Sequence, residues 1–254
     1  SSSAASDVYK RQAIGGPTAT GKTALSVALA KRFGGEIISA DSMHIYQGLD
    51  VGTAKVTPEE MQGVPHHLVG FLAPEQAFSV ADFTTLAGKT ITQLTAQGKL
   101  PLVVGGTGLY ITSLLNGIGF TPEKVDPAIR QELQARLQAE GSQALYAELA
   151  AVDPGYAAKV HPNNTPRVIR ALELYRATGR KMSAEREAAR PAEKPYRSLC
   201  LCLTCRDRTL LYQRIDTRCD RMMQSGILEE AKLVYDHRDT YRTAAQAIGY
   251  KEFF

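Results

Sequence analysis

The segment GPTATGKT, residues 16–23, has the residue types and the spacing of a phosphate-binding loop. It fits the pattern G-x4-G-K-[ST], in which backbone N–H groups at the start of a helix surround phosphate oxygens. Lys22 can reach the outer phosphate oxygens, and the hydroxyl of Thr23 can bind Mg²⁺. The predicted chemistry therefore involves a phosphate-bearing substrate. Every residue of the segment is a candidate phosphate contact: Gly16, Pro17, Thr18, Ala19, Thr20, Gly21, Lys22 and Thr23.

A carboxylate, Asp41, follows a short apolar run in the segment EIISADSMHIYQGLDVGTAK, residues 36–55. A negative charge near phosphates has a use if it helps to hold a metal ion or accepts a proton. ATPases normally carry an acidic residue after another apolar strand, but the best candidate strand here, LPLVV, ends in Gly105 and Gly106. A kinase that uses Asp41 as the base for a hydroxyl fits this pattern. Another transfer from a pyrophosphate-bearing donor fits it equally well.

The elements that must position these residues alternate between helices and strands. Helical pattern follows the loop as far as about Phe33, where two glycines end it. Further helices are predicted to begin within residues 57–60 and 79–82, where the sequence has capping patterns. The segment LPLVVGG, residues 100–106, is a predicted buried strand. This order predicts an α/β fold with a P-loop NTPase-like parallel sheet flanked by helices.

The pattern changes over residues 116–195, which are predicted to form an all-helical insertion domain. Three helix starts are predicted there, each a capping residue followed by a first-turn proline: Asp126-Pro127, Asp153-Pro154 and Thr165-Pro166. Strand character returns after the insert, so residues 13–115 and 196–254 are predicted to be two parts of one core. Residues 1–12 are predicted to be a non-native or disordered head, because they are Ser/Ala-rich and then polar.

The composition is that of an ordinary globular protein, with 44% hydrophobic and 22% charged residues among 254. A net charge of +4 permits a nucleic-acid partner without requiring one. No apolar run approaches the roughly 20 residues of a membrane span, and no signal peptide is visible. We therefore expect a cytoplasmic protein that has no membrane contact. Of its four cysteines, the three in the apolar segment LCLCLTC are predicted to be reduced core residues rather than ligands of a zinc site.

Seven segments occur in a characteristic order: GPTATGKT, ADSMHIYQGLDVGTAK, GVPHHL, FSVADF, GGTGLY, RVIRALELY and GYKEF. From Ala13 to Phe254 this order resembles the bacterial tRNA dimethylallyltransferases, also called tRNA isopentenyltransferases. The resemblance implies transfer of a dimethylallyl group from dimethylallyl diphosphate to the exocyclic amine of the adenosine 3′ of the anticodon, with release of diphosphate. It also implies Mg²⁺ as the cofactor, the tRNA anticodon stem-loop as the partner of the insert, and a monomer. The family's older description as ATP-binding reflects the phosphate loop.

The same resemblance assigns roles outside the phosphate loop. For Asp41 the position after a parallel strand, at the sheet edge where the phosphate loop also opens, predicts the general base or at least the hydrogen-bond acceptor for the adenosine amine, with a magnesium ligand as the competing role. Two arginines on one face of a predicted helix, Arg214 and Arg218, are implied to bind diphosphate or tRNA phosphate, which suits the arginine fork. His44 stands where the family usually has Gln, and Pro166 stands where a polar or basic residue is common. The implied tRNA contacts are Asp41, Ser42, Met43, His44, Thr107, Arg130, Pro166, Arg167, Val168, Ile169 and Arg170.

Two alternatives stand beside the prenyltransferase. One is a small-molecule P-loop kinase. The other is a tRNA-binding fragment with impaired catalysis, because the family continues into further basic helices beyond the position of Phe254. The insert, with Arg167 and Arg170 on one helical face, favours a large polyanionic acceptor over a small alcohol. Two tyrosines, Tyr46 and Tyr110, could stack on a base or pack in the core.

Overall fold

The structure of the chain, a computed structural model, describes residues 10–119, 126–189, 191 and 196–254. Residues 1–9 of the predicted head lie outside these ranges. Residues 10–12, by contrast, belong to the first strand: all three pair with one neighbouring strand, and Gln12 also pairs with a second. The predicted head is therefore too long by these three residues.

The chain divides into two compact units. The first, the core unit, combines residues within Ser1–Gly117 with residues within Lys194–Phe254. The second, the helical unit, lies within Ile118–Glu193. The limits predicted for the insert, 116–195, lie close to those of the helical unit.

The core unit contains a parallel sheet of five strands in the order β3-β2-β4-β1-β5. The strands are β1 (Lys10–Gly15), β2 (Gly35–Ser39), β3 (His66–His67), β4 (Leu100–Gly105) and β5 (Arg197–Cys202). Because β2, β4 and β1 are neighbours and run in the same direction, their carboxyl ends open on one edge of the sheet. Ligands bind at that edge in folds of this kind. The predicted parallel sheet flanked by helices is confirmed.

Eleven α-helices lie within the part of the chain that the structure describes. They are α1 (Lys22–Phe33), α2 (Pro58–Met61), α3 (Val80–Ala96), α4 (Gly108–Asn116), α5 (Pro127–Glu140), α6 (Ser142–Val152), α7 (Pro154–Ala157), α8 (Thr165–Thr178), α9 (Met182–Ala188), α10 (Arg208–Gln224) and α11 (Ile227–Asp236). Two short 3₁₀ turns, Ala244–Gln246 and Lys251–Phe253, follow α11. None of the helices in the described ranges has the length and apolar character needed to cross a membrane.

Helix starts mostly follow the predicted capping residues. Thr57 and Ser79 each form a capping box with the acidic residue three positions later. Asp126 and Asp153 accept hydrogen bonds from backbone N–H groups of α5 and α7. The prediction for Thr165 was wrong by one position, because Thr165 is the first residue of α8 and is preceded by the N-cap residue Asn164.

Both faces of the sheet are covered, which explains why β2 and β4 have continuous apolar runs rather than alternating ones. Ile38 and Val103 belong to the hydrophobic cluster that packs with α3 and α4. Their neighbours Ile37 and Leu102 point to the opposite face and pack with α1. These four side chains are at most 2% exposed, so β2 and β4 are rigid supports for whatever follows them.

The four cysteines are free, and the prediction that those in LCLCLTC are core residues was wrong, because none of the three is buried. Cys200 and Cys202 lie on β5, which is an edge strand of the sheet, and both are exposed. Leu199, on the same strand, is 55% exposed. The apolar composition of β5 therefore does not indicate burial, because the strand pairs on one edge with β1 alone.

Candidate active site

The phosphate loop joins the end of β1 to the first turn of α1. Gly16 has φ 151°, and a Cβ atom there would lie 2.6 Å from the carbonyl oxygen of Leu203. Gly21, the N-cap residue of α1, has φ 84° and offers no side chain to cap the helix. The first N–H groups of α1 are thus available to an anion, and the helix dipole favours negative charge at the same place.

Lys22 lies inside this loop. Its Nζ donates to the carbonyl oxygens of Gly16 at 2.8 Å and Pro17 at 2.5 Å. Burial lowers the pKa of Lys22, the charge of Arg218 lowers this pKa further, and the Asp41 carboxylate opposes both effects. The charges of Arg218, on α10, and of Asp41, which follows β2, therefore both act on the Lys22 ammonium group.

Asp41 begins the loop that follows β2, and its two carboxylate oxygens differ in their surroundings. Oδ1 accepts a hydrogen bond from the N–H of Met43 at 2.9 Å, which fixes the turn. Oδ2 is 3.9 Å from His44 Nε2, beyond hydrogen-bond distance. The side chain is 29% exposed. One oxygen thus holds the loop, and the other can accept a hydrogen bond from a ligand.

Thr107 lies beside this loop because β4 and β2 end next to each other. Its N–H donates to the carbonyl oxygen of Ala40 at 3.1 Å, and its Oγ1 accepts from the N–H of Ser42 at 3.0 Å. The approach of the two chains is close, since a Cβ atom on Gly105 would lie 2.2 Å from the Ala40 oxygen. The structure therefore brings together Thr107, Ser42 and Asp41, as the resemblance implied.

His44 is held by the segment that follows it. Its Nε2 lies 3.1 Å from the carbonyl oxygen of Thr53, and its Nδ1 lies 3.5 Å from the hydroxyl of Ser39. Because a carbonyl only accepts hydrogen bonds, Nε2 carries the hydrogen in this arrangement. Burial lowers the pKa of His44 despite the opposing charge of Asp41. The imidazole is therefore a neutral donor near neutral pH, as the amide of a glutamine would be.

The remaining core-unit candidates differ in their positions. Arg218 is half-buried and acts electrostatically on Lys22, whereas Arg214 is exposed one turn earlier on α10. The tyrosines pack in the core: Tyr46 is fully buried, and Tyr110 stacks on Phe83 with ring centroids 4.3 Å apart. Burial raises the pKa of Tyr110 to about 12. Of the two interpretations of these tyrosines, core packing is the one the structure supports.

In the helical unit, two predicted contacts share one carboxylate. Arg130 Nε and Nη2 donate to the two oxygens of Glu173 at 2.9 and 3.0 Å, and Arg170 Nη1 donates to Glu173 Oε2 at 2.8 Å. The Glu173 side chain is 5% exposed, while the arginines are 52% and 45% exposed. Sequence analysis missed Glu173, although its i,i+3 spacing from Arg170 was a signal. The buried carboxylate of Glu173 therefore orients two exposed guanidinium groups.

The other predicted contacts on α8 divide by helix face. Pro166 and Arg167 are exposed, and Pro166 lines a groove of about 540 Å³ together with Arg130. Val168 and Ile169 are 1% and 7% exposed and belong to the core of the helical unit. Ile169 also lines the groove with Pro166 and Arg130, and the tRNA contacts predicted at Val168 and Ile169 stay a prediction.

Few side chains at the phosphate loop could supply an oxygen ligand to a metal ion. Within the described ranges, no group of three or more His, Cys, Asp or Glu side chains could hold a metal ion. Thr23, in the first turn of α1, and Asp41, which follows β2, are the single oxygen donors that the sequence analysis offered for a metal ion. Mg²⁺ usually keeps several waters and binds one or two protein groups together with substrate phosphates. The donor set therefore fits Mg²⁺ that is bound jointly with a diphosphate.

Comparison with known protein families covers nearly the whole chain. Residues 44–254 match the family model described as IPP transferase, and residues 9–69 match the model described as Isopentenyl transferase. The tRNA dimethylallyltransferase of Bacillus subtilis (strain 168) is 50% identical over 239 residues, which are 94% of this chain and 76% of that protein. The tRNA dimethylallyltransferase of Halalkalibacterium halodurans is 46% identical over 245 residues, or 96% and 78% of the two chains.

Solved structures give the same result. The full-length tRNA isopentenylpyrophosphate transferase from Bacillus halodurans superposes with a TM-score of 0.64 at 46% identity, over 96% of this chain and 76% of that one. A eukaryotic dimethylallyltransferase acting on tRNA superposes with a TM-score of 0.74 at 31% identity, over 96% of this chain and 62% of that one.

Proposed function

The chain belongs to the tRNA dimethylallyltransferase family and transfers a dimethylallyl group to tRNA, and we propose that the edge formed by β1, β2 and β4 is where the transfer takes place. The observation that carries the proposal is the convergence of the phosphate loop, Asp41 and Thr107 at the carboxyl ends of three neighbouring strands. A phosphate site and a candidate base thus lie at the same edge of the sheet.

The donor in this proposal is dimethylallyl diphosphate. The N–H groups at the start of α1, together with Lys22 and Arg218, bind the diphosphate and stabilise the charge that grows on it as it leaves. Arg214 adds a more exposed positive charge on the same helix. Mg²⁺ bound by Thr23 and the diphosphate would neutralise part of that charge. These groups account for the loop without any need for a nucleotide.

The acceptor is the exocyclic amine of an adenosine, and by family resemblance it is the one 3′ of the anticodon. A base inside a stacked loop must be turned out before its amine can reach a protein pocket. In the step itself, the nitrogen forms a bond to the allylic carbon as the carbon–oxygen bond to diphosphate breaks. The nitrogen then loses a proton, which Asp41 Oδ2 accepts.

A transfer assay with two labelled donors tests this proposal. Radiolabelled dimethylallyl diphosphate, Mg²⁺ and unmodified tRNA are incubated with the protein, and γ-labelled ATP replaces the prenyl donor in a parallel reaction. We expect label in RNA from the prenyl donor alone. Label in RNA or in a small alcohol from ATP would contradict the assignment of the phosphate loop to diphosphate. Retention of tRNA on the protein with no transfer would contradict the proposed chemistry.

We propose that the helical unit supplies tRNA affinity rather than chemistry. Its exposed cations Arg130, Arg167 and Arg170 are suited to phosphate oxygens, because an arginine fork can bind two of them at once. Each phosphate contact that is lost should flatten the slope of log affinity against log salt by about one unit. Glu173 keeps two of these guanidinium groups in a fixed orientation.

Glu173→Gln is expected to weaken tRNA binding about fivefold to tenfold. The substitution removes one negative charge, which on electrostatic grounds alone would strengthen binding, although only slightly because solvent and salt screen the exposed guanidinium groups. It also releases two guanidinium groups whose charge-assisted hydrogen bonds to phosphate are worth about 1.5–3 kcal/mol each. The loss of orientation should therefore prevail. Fluorescence anisotropy with labelled anticodon stem-loop at several salt concentrations measures the effect.

Glu148→Gln is the matched control for this experiment. Glu148 also joins two arginines of the helical unit, Arg136 at 2.6 Å and Arg176 at 2.8 Å. Neither arginine is a predicted tRNA contact, so tRNA affinity should stay within about twofold of the wild type. Tighter binding of tRNA by Glu173→Gln would mean that Glu173 only neutralises its arginines. Equal losses in both variants would indicate a general weakening of the helical unit.

A further inference from the structure

The carboxylate of Glu230, on α11, accepts hydrogen bonds from three consecutive backbone N–H groups. Asp50 and Val51 donate to Oε2 at 2.7 and 3.0 Å, and Gly52 donates to Oε1 at 2.7 Å. The hydroxyl of Tyr250 donates to Oε1 at 2.6 Å. An ionised carboxylate has about four acceptor positions, so these four donors use its whole capacity. A carboxylate whose acceptor positions are all occupied indicates a specific contact rather than a chance approach of two surface groups.

The backbone around this contact is packed closely against the same C-terminal segment. A Cβ atom on Gly52 would lie 2.4 Å from the ring of Tyr250. A Cβ atom on Gly249 would lie 2.8 Å from the carbonyl oxygen of Gly52. Tyr250 itself is fully buried. Hydrogen bonds and close steric contacts therefore together hold residues 50–52 in a single conformation.

The held segment leads directly to the candidate active site. Thr53, the next residue, accepts the hydrogen bond from His44 Nε2 at 3.1 Å and donates from its own hydroxyl to the carbonyl oxygen of Leu49 at 2.7 Å. His44 Nε2 in turn lies 3.9 Å from Asp41 Oδ2. Hydrogen bonds therefore link Glu230 on α11 through residues 50–53 to His44, which lies beside the oxygen that we assign to the acceptor amine.

We propose that Glu230, with Tyr250, is a positioning residue for the transfer reaction: it fixes residues 50–53 so that Thr53 orients His44 beside Asp41. The inference rests on the proposed role of Asp41. A glutamine at position 230 would keep one acceptor oxygen but would turn an N–H donor towards backbone N–H donors. Residues 50–53 would then lose their fixed position. The phosphate loop, which follows a different strand, would stay intact.

Glu230→Gln is expected to lower kcat about tenfold while the dissociation constant of dimethylallyl diphosphate stays within twofold. Small displacements of a positioned group are costly in catalysis, and about 1 Å can cost 100-fold. Tyr250→Phe removes one of the four hydrogen bonds and should lower kcat twofold to threefold in the same direction. If Glu230→Gln does not fold, Tyr250→Phe carries the test. Single-turnover transfer to tRNA and equilibrium diphosphate binding measure both quantities.

Glu36→Gln is the matched control. Glu36 is a buried carboxylate of the same unit, bonded to His67 and Lys99 at the opposite end of β2. Its substitution should lower the melting temperature but leave kcat unchanged. Equal losses of kcat in Glu36→Gln and Glu230→Gln, following the fraction of folded protein, would overturn the proposal. That result would make Glu230 a residue of stability only.

A double-mutant cycle with His44 tests the route of the effect. If Glu230 acts through His44, then Glu230→Gln should change kcat little in a His44→Ala background, because coupled residues are non-additive. Additive losses would contradict the proposed route. Asp41→Asn, measured in the same assay, separates the two hypotheses. Full activity of Asp41→Asn would refute the site assignment, whereas wild-type kcat in Glu230→Gln beside an impaired Asp41→Asn would refute the positioning role alone.

Discussion

Asp41→Asn is expected to lower kcat by about 10²–10⁴, the usual contribution of a general base, while tRNA affinity changes little. The exocyclic amine of adenine is a weak nucleophile because its lone pair is delocalised into the ring. A carboxylate that accepts one of its hydrogens orients the amine and takes the proton as the new bond forms. Asparagine preserves the shape and the hydrogen bond that Asp41 Oδ1 accepts from Met43 at 2.9 Å. It lacks the basic second oxygen, so the rate of transfer should fall without unfolding.

Three outcomes of this substitution lead to different conclusions. A fall in kcat with unchanged diphosphate binding supports the base. A higher Mg²⁺ requirement together with weaker diphosphate binding would mean that Asp41 is chiefly a metal ligand. Near-normal turnover would mean that Asp41 only holds the turn, which its contact with Met43 shows it can do. Asp82→Asn is the control, because Asp82 caps α3 through Ser79 and should affect stability without affecting kcat.

The residues around Asp41 could be predicted from the sequence because each is local to a strand end. Parallel strands end on one edge, so a loop after β1, an acidic residue after β2 and a threonine after β4 had to meet. The continuous apolar runs of β2 and β4 made the sheet itself predictable. Capping residues such as Ser79 fixed helix starts because they act within one turn of the chain.

Contacts between distant parts of the chain were beyond sequence analysis. Glu230 meets the loop at Asp50 across 180 residues, and no local pattern marks either partner. The first three residues of β1 are polar, so the strand begins earlier than its apolar residues predict. In Val168 two signals conflicted, since helical spacing favours the core and family resemblance favoured tRNA contact. The burial of Val168 follows the spacing, which reports which face of a helix is buried.

The second large effect concerns Lys22, whose ammonium group is already oriented in the loop. An ammonium group has three hydrogens to donate. Two of them reach the carbonyl oxygens of Gly16 and Pro17, at 2.8 and 2.5 Å. We expect the third to bond an oxygen of the bound diphosphate. Burial lowers the pKa of Lys22, and the nearby charge of Arg218 lowers it further. A bound diphosphate would relieve both costs, so Lys22 interacts more strongly with an anion than an exposed lysine does.

Lys22→Met is therefore expected to lower kcat by about 10²–10³, the range found when one preorganised donor to a developing charge is removed. Methionine keeps the length and apolar stem of the side chain but offers no hydrogen and no charge to the departing diphosphate. Because the charge on the leaving oxygen is greatest in the transition state, kcat should fall more than the affinity for dimethylallyl diphosphate. Lys31→Met is the control: Lys31 lies on the same helix, is exposed and bonds Gln62 at 2.8 Å, so its loss should leave kcat unchanged. A Lys22→Met protein that weakens diphosphate binding but keeps its single-turnover rate would show that Lys22 binds the ground state and the transition state equally.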